Sequence, residues 1–289
     1  MKRYDIVTAG HVSHDILDYR GKVSRFIGGA VYFSAFAAKR SGASLLVVTK
    51  MAESDFRLLE GMEQEGIEIL ALPSTRTTSI ENTFLTDDVD DRIVKLLAQA
   101  DPFSLADIPE VEARVYNLAG LFKGEIPPSL IEPLAIRGKV ALDLQVMLRT
   151  SSQGRFHWKD WEEKAEYLPY LTYIKADSLE SKVITGTDDR RKGAEILHDL
   201  GAKEVMITHS SEVILFDGKR HYSAPFNPEN LSGRAGRGDT CFMSYITRRL
   251  THDHEESLRY AAALTSIKME SPGPFTGTQE QVLERMKTL

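Results

Sequence analysis

Cysteine is almost absent from this chain of 289 residues: Cys241 stands alone. One thiol excludes an internal disulfide framework and cannot by itself build a structural zinc site. Long apolar runs are missing as well, the longest obvious one being Leu45-Leu46-Val47-Val48. A bilayer span needs about 18 consecutive apolar residues, so no membrane partner is expected. The start has a basic residue but only Ile6-Val7 before Thr8, which is not the apolar core of a secretory signal. A reducing, cytoplasmic location is the expectation. Basic charge is not in excess either: Lys plus Arg total 36 against 42 for Asp plus Glu, a net charge of −6. A general nucleic-acid-binding role is thereby disfavoured, while a local phosphate site stays open. No internal repeat or low-complexity linker occurs. No G-x-G-x-x-G follows the first apolar stretch, where Gly10-His11-Val12-Ser13-His14-Asp15 stands instead, so a dinucleotide oxidoreductase is disfavoured.

What is present is an ordinary globular composition, with 42% hydrophobic and 27% charged residues, and a pattern of alternating strands and helices. Strands are expected at 4–9, 45–49, 67–72, 115–118, 140–144, 172–175 and 204–208. Helices are expected at 30–40, 53–65, 129–136, 158–167, 178–185, 190–200, 239–249, 255–269 and 278–287. The alternation falters between 77 and 97, where Ile80 to Leu85 and Ile93 to Leu97 flank the acidic turn Asp87-Asp88-Val89-Asp90-Asp91, a pattern for a hairpin beside the main sheet. Asp217-Gly218 between Val213 to Phe216 and Lys219 to Tyr222 reads as a two-residue hairpin turn.

The densest chemistry lies in Gly233-Arg234-Ala235-Gly236-Arg237-Gly238-Asp239-Thr240, where glycine-rich backbone meets a helix start. Exposed N–H groups in a first helical turn suit a phosphate, and Gly236 and Gly238 permit close approach. Asp239 beside that cradle can take a proton from an attacking hydroxyl. The competing reading is a plain glycine loop with Asp239 as a helix cap. Cys241, just inside the helix, reads as a packed small residue rather than a nucleophile.

At this point the chain resembles the ribokinase-like, or PfkB-type, carbohydrate kinases over nearly its whole length. Gly28-Gly29-Ala30 through Ala37-Ala38-Lys39-Arg40-Ser41-Gly42 is similar to the family's N-terminal signature. Gly233 to Asp239 is similar to its C-terminal D-T-x-G-A-G-D signature, with Gly236, Gly238 and Asp239 in register. The resemblance implies one α/β domain over 1–289: a doubly wound, mainly parallel sheet flanked by helices, with a small β lid from about 18–26 and 77–97. It implies Asp239 as catalytic base and Gly236, Arg237 and Gly238 as the anion hole. Asp15, Ser13, Gly28, Gly29, Phe33 and Arg76 fall to the acceptor side. A carboxylate such as Asp15 can accept hydrogen bonds from two neighbouring hydroxyls. Asp177 and Glu180 match an N-x-x-E segment that organises magnesium and nucleotide phosphates, with Asp in place of Asn, and Thr208 matches a position near the nucleotide.

The implied activity is transfer of a phosphoryl group from ATP to a hydroxyl of a small sugar, sugar acid or cyclitol, with magnesium and, as the family resemblance allows, a monovalent cation. The partners are a small polyhydroxy substrate, ATP and a second copy of the chain through the lid. A nucleoside kinase and a non-catalytic sugar or nucleotide sensor are the alternatives. The departures are Gly233 where the signature has Asp, Ala235 where it often has Thr, Arg237 where it has Ala, and Tyr32-Phe33 where a polar pattern stands. His11, Arg76 and Arg149 are candidates for an acidic acceptor.

Overall fold

The computed structural model describes residues 2–84, 92–152 and 155–289. Its strands in chain order are β1 Arg3–Ala9, β2 Ser13–Tyr19, β3 Lys22–Gly28, β4 Leu45–Met51, β5 Glu68–Pro73, β6 Thr78–Phe84, β7 Arg92–Ala98, β8 Glu112–Leu118, β9 Lys139–Asp143, β10 Arg149–Ser152, β11 Arg155–Trp158, β12 Leu171–Asp177, β13 Glu204–Thr208, β14 Glu212–Phe216 and β15 His221–Pro225. Apolar runs such as Leu45 to Val48 are the signature of strands covered on both faces. They form a nine-stranded sheet in the order β15-β14-β13-β12-β9-β8-β1-β4-β5. From β13 to β5 every neighbour is parallel; β14 and β15 close the other edge antiparallel. Alternate side chains feed separate cores. Ile6, Val47, Val115 and Met206 are buried in one, and Val7, Val48, Leu142 and Ile207 in the other. The architecture is α/β, a mainly parallel sheet flanked by helices, as expected.

Chain order reverses at β1, with β4 on one side and β8 on the other. Such a switch point opens a crevice at the carboxyl ends of the strands, where ligands bind in open α/β sheets. Ala9, Asp143, Asp177 and Thr208 are the last residues of β1, β9, β12 and β13.

A second sheet of six strands, in the order β10-β11-β7-β6-β2-β3, stands beside the first. It is wider than the lid segments expected at 18–26 and 77–97. It begins at Ser13, and it gains the hairpin β10–β11, whose Arg155 pairs with Lys95 of β7. The acidic turn at 87–91 lies outside the described residues. Two local expectations are corrected. Helix over 158–167 is confined to Lys164–Tyr167 with a 3-10 turn after it, because Arg155 to Trp158 is spent in β11. The 212–225 hairpin turns through Asp217 to Arg220, as Phe216 pairs with His221. Asp217 Oδ1 accepts from both Lys219 N and Arg220 N, and that side-chain cap favours the longer turn.

Candidate active site

The acceptor side forms where β2 and β3 pair, Ser13 facing Gly28 and Asp15 facing Phe26. Gly28 is glycine because of Asp15: a Cβ there would lie 2.3 Å from Asp15 Oδ2 and 3.0 Å from Ser13 Oγ. Ser13 Oγ and Asp15 Oδ1 are buried without a hydrogen-bond partner. Buried polar atoms are almost always paired, so two orphans side by side mark a place for a polar ligand. Burial pushes the Asp15 carboxyl up to about 6. Gly29, at φ 103°, turns the chain from β3 into helix Ala30–Arg40, and a Cβ would lie 2.4 Å from the His11 carbonyl oxygen.

The donor side is the start of helix Arg237–Arg249. Gly236 is its left-handed N-cap at φ 72°, and a Cβ there would strike the Phe33 ring at 2.1 Å. Phe33 therefore shapes this loop, linking helix Ala30–Arg40 to it. The first-turn amides at 238 and 239 have no carbonyl four residues back within the helix, while Arg237 N donates to the Arg234 carbonyl at 3.3 Å. Gly236, Arg237, Gly238 and Asp239 are all partly exposed, so the junction opens to solvent rather than into the core.

Behind Gly238 stands a buried lysine that the sequence reading passed over. Lys175 Nζ lies 2.9 Å from Asp143 Oδ2, 3.4 Å from Glu180 Oε2, and 3.2 Å from where a Gly238 Cβ would be. Thr208 Oγ1 is 3.9 Å from that same point. Burial opposes the ammonium, yet Asp143, Glu180 and Asp239 outweigh it and hold the Lys175 pKa above the ordinary lysine range. Burial in turn pushes Asp143, Glu180 and Asp239 up, against the pull of Lys175. A second cation comes from the six-stranded sheet. Arg149, at the start of β10, has its guanidinium 5.7, 5.7 and 5.1 Å from the Phe122, Phe156 and Trp158 rings, and its charge acts on both Asp239 and Glu180. Lone charges in apolar strands, Lys175 after Ile174 and Asp143 after Leu142, were the available signal.

Asp177 and Glu180 cap helix Ser178–Thr185 reciprocally: Asp177 Oδ1 accepts from Glu180 N at 2.8 Å and Glu180 Oε2 from Asp177 N at 2.7 Å. One oxygen of each carboxylate is left outside the cap, a donor set that fits a hydrated magnesium ion rather than a full cage. His11 is not joined to the acceptor site. It is fully buried, with Nε2 3.1 Å from the Asp101 carbonyl oxygen and Nδ1 2.9 Å from Thr78 Oγ1. Arg76 is exposed in the turn between β5 and β6 and shares no hydrogen bond or ion pair with Asp15 or its neighbours among the described residues. Cys241 is buried, and burial pushes its thiol up to about 12, so it packs rather than reacts.

Glycine-rich backbone at a helix start with Asp239 in its first turn, and the unpaired Ser13 and Asp15 oxygens between β2 and β3, make up the candidate site. The pfkB family carbohydrate kinase model matches residues 3–281, and the chain belongs to that family. It is accordingly a kinase that phosphorylates an alcohol group. The solved structure of a pyrophosphate-dependent kinase in the ribokinase family, complexed with a pyrophosphate analog and myo-inositol, is 35% identical with a TM-score of 0.89, covering 96% of this chain and 99% of that one. Cytidine kinase of Thermococcus kodakarensis is 29% identical over 247 residues, 81% of this chain and 84% of its own length. Inositol 3-kinase of Arabidopsis thaliana is 30% identical over 186 residues, 61% of this chain and 51% of its own. Ribokinase of Arabidopsis thaliana, complexed with ribose and ATP, shares the fold at a TM-score of 0.78 and 18% identity.

Proposed function

We propose that this chain transfers a phosphoryl group from pyrophosphate to a hydroxyl of a myo-inositol-like cyclitol. The observation that carries this reading is the full-length likeness, 35% identical, to the pyrophosphate-dependent kinase complexed with myo-inositol. The geometry supports it. Asp15 and Ser13 offer unpaired oxygens to adjacent ring hydroxyls, and Gly28 lets the Asp15 carboxylate and Ser13 hydroxyl lie against the backbone where a Cβ would displace them. Asp239 takes the proton as the acceptor oxygen bonds to the near phosphorus; the bridging P–O bond breaks and orthophosphate leaves. Amides at 236, 238 and 239, with the side chains of Lys175, Arg149 and Arg237, meet the negative charge that develops. A raised Asp239 pKa makes that carboxylate a stronger base than an exposed one.

ATP with magnesium is the second reading of the donor. Asp177 and Glu180 would hold the hydrated ion, which neutralises donor phosphate charge when bound, and Thr208 would stand beside the phosphates. Against an extended nucleotide contact, the segment after Thr208 folds on itself: His209 N donates to the Glu212 carbonyl and Glu212 is held by Arg190 at 2.8 Å. Purified protein offered myo-inositol, cytidine and ribose, each with pyrophosphate or ATP, tests both assignments by phosphate, ADP and phospho-product release. Fast turnover with ATP and none with pyrophosphate would remove the donor assignment, and phosphorylation of cytidine alone the acceptor assignment.

A cytoplasmic location and pairing of two copies through the lid belong to the same proposal. Tyr19, Val23, Ile93 and Leu97 are exposed on the second sheet, apolar side chains that a second copy would cover. No helix among the described residues is long and apolar enough to cross a membrane. Light scattering that reads a monomer at working concentration would remove the dimer.

A further inference from the structure

The carbonyl oxygens of Gly233 and Ala235 point inward, and both accept from the Nζ of Lys268, at 2.6 Å for Gly233. Lys268 comes from the last turn of helix His254–Met269 and is 2% exposed. Its ammonium also lies 5.2 Å from the Phe33 ring centroid, the ring that abuts Gly236. Among the described residues no carboxylate comes within ion-pair distance of it. A buried ammonium costs several kcal/mol unless its surroundings compensate it; burial pulls the Lys268 pKa down to about 8, and the Asp239 charge, main-chain oxygens, an aromatic face and the negative end of a helix keep it charged at neutral pH.

A single positive charge ringed by main-chain carbonyls is the coordination chemistry of a monovalent metal ion. Such an ion does not fit the loop here. Two inward carbonyls are already taken, and Gly233 brings no carboxylate. There is no room for one: a Cβ on Gly233 would lie 1.7 Å from the Ser271 carbonyl oxygen.

We propose that Lys268 is a tethered monovalent cation, a positioning residue that holds the Gly233 and Ala235 carbonyls inward so that the following amides face the donor, and that this kinase needs no added potassium. With the carbonyls drawn to one side by the ammonium, the next peptides present their N–H groups to the other, toward the crevice. The inference rests on the reading of this loop as the donor site, but its melting readout does not depend on the donor or acceptor being named correctly.

The test compares wild type, Lys268→Met and Lys268→Gln in tetramethylammonium buffer with and without potassium or ammonium at about 0.1 M, a level at which general screening is matched across salts. Kinase rate and melting temperature are both read. Wild type should change less than about twofold in rate and hold its melting point, since nothing new binds the folded state. The variants should lose at least about tenfold in kcat with a raised donor KM and an unchanged acceptor KM, and regain part of both rate and melting point in ammonium or potassium. Severalfold activation of wild type by potassium overturns the proposal. So does a soluble variant with full kcat in potassium-free buffer. If neither variant is soluble, the salt response of wild type decides alone.

Discussion

The Lys175 ammonium is 2.9 Å from Asp143 Oδ2 on one side and stands directly behind the Gly238 backbone on the other. One cation thus serves the buried acids of β9 and helix Ser178–Thr185 and lies beside the loop read as the anion hole. In Lys175→Met the acids lose their counter-charge, and breaking a buried pair by removing one partner costs about 3–5 kcal/mol. Because Asp143 and Glu180 have raised pKa values, they are neutralised at mildly acid pH, and the penalty then shrinks. Melting temperature should fall far more at pH 8 than at pH 5, and kcat should drop by at least about 10²-fold. Equal destabilisation at both pH values would show that lost packing, not lost charge, is responsible.

Asp239 is the only carboxylate in the first turn of helix Arg237–Arg249. Asp239→Asn keeps the shape and removes the base, so kcat should fall by at least about 10²-fold while donor and acceptor still bind. Removing this acid also relieves its raised pKa, so the variant should melt no lower than wild type at pH 7. Calorimetric titration beside single-turnover kinetics separates the two effects. Near-normal turnover would sink the base assignment.

Asp15 is an acid whose folded pKa, about 6, lies above its ordinary 3.8. Between those values the native state holds more protons than the unfolded chain, so this group's contribution to stability falls as pH rises through that window. Above pH 6 the charged carboxylate costs up to about 3 kcal/mol, the free energy of two pK units. Asp15→Asn should therefore melt a few degrees higher than wild type at pH 7.5 and about the same at pH 3.5. Its acceptor KM should rise at least about tenfold, with donor KM unmoved. For wild type, acceptor KM should climb as pH falls through 6, when the carboxylate ceases to accept from two hydroxyls. A variant that binds acceptor normally would place the acceptor elsewhere.

The main sheet was legible because its strands are short apolar runs between polar turns: 204–208 and helix 178–185 emerge with the bounds the sequence suggested. The second sheet was legible only in part. Ser13-His14-Asp15 does not read as strand because its polar residues face a site, and β10–β11 hides in the polar stretch from Arg149 to Trp158. The signature loops were visible as glycines with one acid. Lys175 and Lys268 were not, since they come from β12 and helix His254–Met269 and reach the site only in three dimensions, and Arg149, a candidate for an acidic acceptor, acts instead on Asp239 and Glu180. His11, singled out as a candidate for an acidic acceptor, is held by two hydrogen bonds in the core.

Gly233 is the sharpest departure from the family signature, and the structure gives its reason. Gly233 N donates to the Met269 carbonyl at 2.8 Å, and the Cα is pressed against the Ser271 carbonyl, at the negative end of helix His254–Met269. Gly233→Asp would restore the signature on paper. In this chain it inserts a side chain into backbone and places a second negative charge against helix carbonyls, so it should destabilise by about 2 kcal/mol or more through overpacking and dipole repulsion together. The new carboxylate would also compete with the Gly233 and Ala235 carbonyls for Lys268, turning them away and disordering the loop. Lower melting temperature together with a raised donor KM is the expected result. A Gly233→Asp variant that melts as wild type and turns over faster would mean that the loop can move off the helix, and that the ammonium does not fix its shape.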